Sequence, residues 1–152
     1  MKKVLVLGCL AITLLAVGCT KYSAMKGPFD GNSVNKSFVE YLVDKADDKL
    51  DLNEAQQQQL AGVITTMVNT ALAQRDEVRA LKVQIADELR KENLDQARLD
   101  ELMALRMQLF RKVIDSGKAE LAAFHATLSE TQRNALAQFV LEHGKSCWNG
   151  TE

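Results

Sequence analysis

The side chains that could do chemistry in this 152-residue chain fall into three small groups. His125, His143, Cys147 and the pair Met103 and Met107 are the candidate soft-metal ligands. His143 and Cys147 stand four apart, as ligands on one helix face would, and are the candidate zinc or copper pair. Gly144 is expected to break the helix between them, and two ligands approach a zinc site only if a dimer doubles them. Met103 and Met107 at helical spacing read more readily as core than as copper ligands. The second group is basic. At about 100° per residue Arg75, Arg79, Lys82 and Arg90 share one arc, on the side that carries Val68 and Leu72, while Asp76, Glu77, Asp87 and Glu88 point elsewhere. That strip is either a surface that holds unfolded polypeptide by loose apolar contact and charge, or a solvated helix face laced with i,i+4 pairs. Arg106 lies within an apolar stripe between Met103 and Phe110, where a charge needs a carboxylate partner or must snorkel out. Catalysis has no such candidates: there is no Gly-rich phosphate loop, no His-Glu-x-x-His and no nucleophile with a positioned base. An enzyme, and any resident cofactor, is not expected.

The third group is cysteine. Lys2 and Lys3 precede an apolar run from Val4 to Val17 and then Gly18 and Cys19, the layout of a secretory signal. Leu15-Ala16-Val17-Gly18-Cys19 looks like a bacterial lipobox, so residues 1–18 are read as a lipoprotein signal peptide and Cys19 as the lipidated first residue. Ordinary signal cleavage is the competing reading. A spanning helix is a poorer one, because the run is shorter than the roughly 20 residues a span needs. Thr20 after Cys19 points to the outer membrane of a Gram-negative envelope, with the protein in the periplasm. Cys147 is then alone in an oxidising compartment: a disulfide to another chain, a metal ligand, or, as preferred, an inert thiol in a C-terminal tail over 146–152. Loss of Lys2 and Lys3 with the signal leaves 17 basic against 20 acidic residues, a formal charge of −3 and no footprint of a nucleic-acid binder.

Positioning falls to helices. Aromatics are 5% of residues and Pro28 is the sole proline, so the class is all-α. Two helix starts repeat one pattern: Leu52-Asn53-Glu54-Ala55-Gln56 and Leu128-Ser129-Glu130-Thr131-Gln132. In each, Asn53 or Ser129 can accept from the N–H three residues on, and Gln56 or Gln132 can reach back to the cap, which is capping-box geometry. This repeat resembles the LTxxQ motif of the Spy/CpxP-like family of small helical periplasmic stress proteins. The second copy, from Phe124 to Arg133, is the nearer match; Asn53 stands where the family prefers Thr, and the run Gln56 to Gln59 blurs the first. The resemblance implies a cradle-shaped antiparallel homodimer that acts as an ATP-independent chaperone or envelope-stress adaptor, with unfolded or misfolded envelope proteins as partners. A metal-responsive sensor or scavenger, related to the family's heavy-metal branch, and a purely structural lipoprotein are the alternatives, since fold alone does not choose.

The elements follow from pattern. Residues 19–32 read as a tether, and 33–145 as one helical domain of four helices built on a long antiparallel hairpin. The first helix is expected from Val34 to about Lys49 with Ser33 as its cap, and the second from Glu54 to about Lys91. The second's apolar positions step by three and four except across Gln74. Asn93 or Asp95 should cap a third helix ending near Thr127, and the fourth should run from Glu130 to His143, stopped by Gly144. The third helix carries a stripe too wide for one neighbour, from Leu99 and Leu102 to Leu121 and Phe124, with Leu105 and Leu109 at its edge. It calls for further helices or a second subunit.

Overall fold

The computed structural model describes residues 27–148, with side chains as far as Leu141. The signal segment, Cys19, most of the tether, residues 149–152 and the side chains of His143 and Cys147 lie outside the described residues. The class is all-α, with five helices and one small hairpin among the described residues. β1 (Phe29–Asp30) pairs antiparallel with β2 (Ser33–Val34), Phe29 opposite Val34. Gly31, at φ 60°, supplies the left-handed residue the tight turn needs. Residues 29–32 are thus a folded hairpin rather than tether. Ser33 caps nothing; its hydroxyl donates to the Asp30 carbonyl at 2.8 Å across the turn.

The helix α1 (Lys36–Leu50) therefore begins two residues later than expected. Asn35 precedes it and ties it to the hairpin, its N–H donating to the Pro28 carbonyl and its side chain to the Gly27 carbonyl, both at 2.9 Å. Asp51, left-handed at φ 51°, ends α1, and the Asp47 carboxylate accepts from the Leu52 N–H at 2.7 Å to turn the chain into the next helix.

The long second helix is two: α2 (Glu54–Ala73) and α3 (Arg75–Leu89), separated at Gln74, whose φ of −96° and ψ of 1° leave the helical range. The break falls at the one interruption of the apolar step. There the Gln74 N–H donates to the Ala71 carbonyl at 3.3 Å, a tightened i→i−3 bond, and the side chain of Arg75 reaches to the β-hairpin. α4 (Gln96–Thr127) starts on Asp95, whose carboxylate accepts from the Arg98 N–H at 3.1 Å, and ends at Thr127 as the caps predict. α5 (Glu130–Trp148) runs through Gly144. A lone helical glycine costs only about 1 kcal/mol, and without a left-handed turn it does not end a helix.

Burial divides into two clusters along α4. The larger joins Phe38, Leu42 and Leu50 of α1, Leu60, Val63, Ile64 and Val68 of α2, and Leu121 and Phe124 of α4, and includes Leu52 and Leu128. The smaller holds Leu81 of α3 against Leu102 and Leu109 of α4, flanked by Val78 and Ile85. α2 thus packs on the C-terminal half of α4 and α3 on its N-terminal half. α2 and α4 pack tightly at Gly117, where a Cβ would come within 2.6 Å of the Met67 Cγ. Glu88 fixes the turn between α3 and α4: one oxygen accepts from the Asp95 N–H at 3.0 Å, the other from the Lys91 ammonium at 2.6 Å.

Candidate functional site

The two copies of the repeated pattern fold against each other. Asn53 accepts from the Gln56 N–H and Gln56 returns the bond to the Asn53 N–H, both at 3.0 Å. Ser129 and Gln132 do the same at 3.2 and 2.9 Å. The amides of Gln56 and Gln132 then meet reciprocally, each donating to the other at 3.1 Å. Their remaining N–H groups cross over: Gln56 donates to the Thr127 carbonyl at 2.9 Å and Gln132 to the Asp51 carbonyl at 2.8 Å. Even the next residue is matched, because Gln57 donates to the Leu52 carbonyl and Arg133 to the Leu128 carbonyl. The corner has an approximate two-fold axis through the amide pair. It satisfies both donors and both acceptor directions of each glutamine, although Gln56 is only 5% exposed. Glu54 and Glu130 in the first turns offset the two positive helix ends that this brings together. The glutamine run is also resolved: Gln56 makes the reciprocal amide crossing, Gln59 accepts from the Thr127 hydroxyl at 3.4 Å, and Gln58 donates to Glu54 at 3.4 Å.

Beyond the Gln74 break, α3 and α4 border a groove of about 430 Å³. Val78 of α3 and Leu109, Phe110 and Val113 of α4 form its floor, with Ala71 and the hairpin's Phe29 at one end. Arg75, Arg79, Lys82 and Arg106 also line it, and no carboxylate does. Of the basic and apolar strip expected from sequence, the structure brings Arg75, Arg79 and Lys82 together and separates the rest. Val68 is 4% exposed in the main core, where α2 meets α4, so it is no surface residue. Leu72 is half-buried and does not line the groove. One straight helix over 54–91 puts both on the strip, whereas the helix is interrupted at Gln74, between them and the three basic residues.

Arg75 is held rather than free. Its guanidinium donates to the Gly31 carbonyl at 3.1 Å and to the Asn32 side chain at 3.0 Å, latching the hairpin beside the groove. Arg79 faces Asp76 at 3.4 Å on the exposed side. Lys82 and Arg106 make no ion pair among the described residues. Of the two expectations for Arg106, the side chain is exposed and borders the groove, and no carboxylate of α3 pairs with it. Phe29, Phe110 and Val113 also line the groove, beyond the residues expected from sequence. Phe110 and Val113 were legible only as apolar stripe, and nothing local in the sequence places Phe29 beside them.

The soft-metal candidates do not converge. Among the described residues no three His, Cys, Asp or Glu side chains are placed to hold a metal. His125 is exposed near the end of α4. Met103 and Met107, expected in the core, are 45% and 60% exposed. No described helix is long and apolar enough to cross a membrane. Compared with models of protein families, with curated proteins and with solved structures, the chain matches none.

Proposed function

We propose that this chain is a lipid-anchored periplasmic protein, attached through Cys19 to the outer membrane, that acts as an ATP-independent chaperone or envelope-stress adaptor. The observation that carries the reading is the paired corner. The two short patterns on which the family resemblance rests are used as a single hydrogen-bonded unit, so each copy has a structural reason for its Leu, its cap and its Gln. The architecture proposed is a long antiparallel hairpin, α2 and α3 against α4, assembled as a cradle-shaped homodimer. Support for a second subunit comes from Val83, Leu89, Leu94, Met103, Leu105 and Met107, large apolar side chains that one chain leaves uncovered toward one end.

The mechanism is passive. Aggregation-prone polypeptide binds weakly and reversibly to a surface that offers apolar contact flanked by cations, which lowers its free concentration without nucleotide. The surface is amended from the sequence reading: Arg79, Lys82, Arg106 and Phe110 carry it, Arg75 braces it, and Val68 and Leu72 drop out. A chain beginning at Thr20 retains every described element and suits the test, which is suppression of aggregation of an unrelated unfolding protein near stoichiometric ratios without ATP. Changing Arg79, Lys82 and Arg106 to Glu should weaken suppression and alter its salt dependence, since exposed charges are screened beyond about 8 Å at physiological salt. A wild-type chain that suppresses nothing ends this reading. If that chain instead binds zinc or copper, and loses it on His143→Ala or Cys147→Ser, the sensor takes its place.

A further inference from the structure

The groove between α3 and α4 has a composition more particular than a general apolar surface. Its volume, about 430 Å³, lies within the range of small-molecule sites. Its floor is aliphatic and aromatic, and Leu109 there is buried. Four cations border it without one carboxylate in the lining, and Lys82 and Arg106 have no ionic partner among the described residues. Two polar atoms at its Gln74 end are buried and unpaired, the Gln74 Oε1 and the Arg75 Nε; the latter lies 3.6 Å from the nearest Asp76 oxygen, beyond hydrogen-bond reach. Cations gathered over a dry floor are repelled by one another and favour an anion that also covers the floor.

We propose that this groove is a binding site for a free single-chain amphiphile with an anionic head, a long-chain carboxylate or an alkyl phosphate. The alkyl chain lies along Val78, Leu109, Phe110 and Val113, and the head meets Lys82, Arg106 and Arg79. The floor disfavours a nucleotide, because it offers a base and sugar no hydrogen-bond partners. It equally disfavours an acidic peptide, whose backbone N–H and C=O groups would be buried against carbon with only two unpaired polar atoms nearby. An alkyl chain has no such groups to satisfy. The site does not depend on the chaperone reading. Where both operate, amphiphile and client compete for Arg79 and Lys82.

Photolabelling tests this on the full-length protein in a neutral alkyl maltoside, which itself supplies an uncharged competitor. The probe is palmitate bearing a diazirine on its chain, and labelled peptides are mapped by mass spectrometry. Label is expected on α3 around Val78 and on α4 around Phe110 to Val113. Excess laurate or dodecyl phosphate should remove it, whereas dodecyltrimethylammonium and inorganic phosphate should not. Lys82→Glu with Arg106→Glu should lower labelling about tenfold, the scale of losing charge-assisted hydrogen bonds. Lys82→Gln with Arg106→Gln gives the same direction if the reversed variant fails a circular-dichroism check. Equal competition by the cationic amphiphile, label concentrated at Met103 and Met107, or displacement by an acidic peptide as effective as by dodecyl phosphate would each overturn the proposal. Aggregation suppression by the wild-type chain is read separately, so failure of the amphiphile site leaves the chaperone reading to its own test.

Discussion

Removing the Gln56 amide should be one of the most damaging polar substitutions in the described chain, and its cost can be worked from the corner. Gln56→Ala leaves the backbone Asn53 N–H and the Thr127 carbonyl without the partners they had at 3.0 and 2.9 Å. It also breaks the reciprocal pair with Gln132. A fully buried stranded group costs about 1–3 kcal/mol, but these two are part-buried and water will reach them, so with the amide pair also lost the expected loss is about 2–4 kcal/mol. Gln132 is half-buried, and the Asp51 carbonyl and Ser129 N–H it serves can reach solvent, so Gln132→Ala should cost less, about 1–2 kcal/mol. The two-bond amide pair is lost in either single variant. The double variant should therefore fall short of the sum by about 1–2 kcal/mol, within the usual coupling of contacting residues. Urea unfolding followed at 222 nm measures all three, with Gln58→Ala as a control expected to stay within about 0.5 kcal/mol because its amide reaches only an exposed carboxylate. Additive singles, or a Gln56→Ala no worse than Gln58→Ala, would refute the paired corner as a stabilising unit.

Two glycines should respond oppositely. Gly62 has nothing within 4 Å of an added Cβ, so Gly62→Ala should stabilise α2 by about 0.5–1 kcal/mol, whereas Gly117→Val, facing Met67, should destabilise by about 1–3 kcal/mol in the same urea assay. The Glu88 carboxyl is held below its ordinary value of 4.5, chiefly by the hydrogen bond from the Lys91 ammonium and then by the Asp95 N–H, against the opposing effect of burial. A depressed folded value contributes stability above 4.5 that is lost as pH falls through the folded value, so Glu88→Gln should flatten the acid limb of a stability profile below pH 4.5. Arg75→Ala should free the hairpin, raising amide exchange across residues 29–34 while α4 is unchanged; equal protection in both chains would mean that the latch holds nothing.

Local chemistry was readable in the sequence. The starts at Glu54 and Glu130, the Asp95 cap and the end at Thr127 are all decided by residues within one turn, and the structure has each of them. What went unread was decided at a distance. The hairpin needs Gly31 to adopt a positive φ, and it is held by Arg75, more than forty residues on in the sequence. The Gln74 break belongs to the same contact, since Arg75 begins α3 while its side chain serves the hairpin. Gly144 shows the converse error. A glycine ends a helix only where its backbone turns left-handed, and Gly144 stays within the helix.

Arg106 shows why the groove was only half legible. Helical periodicity put it in an apolar stripe, and a charge in an apolar stripe conventionally calls for a carboxylate. The rule presumes that a neighbour covers the stripe. Here the break at Gln74 sends α3 along α4 on a line that leaves a cleft, so Arg106 stands at its edge in solvent, beside Lys82 from the facing helix. The paired corner and the groove are therefore consequences of the same arrangement at its two ends. Gln56 and Gln132 fix where α2 leaves the corner relative to α4, the larger core carries that register to Gly117, and the break converts it into a separation between α3 and α4. A change at the corner should accordingly reach the groove through packing. Gln56→Ala, if it remains folded, should weaken labelling of Phe110 by the diazirine palmitate although no atom of Gln56 lines the site. Unchanged labelling in a folded Gln56→Ala would show that the groove is set by α3 and α4 alone.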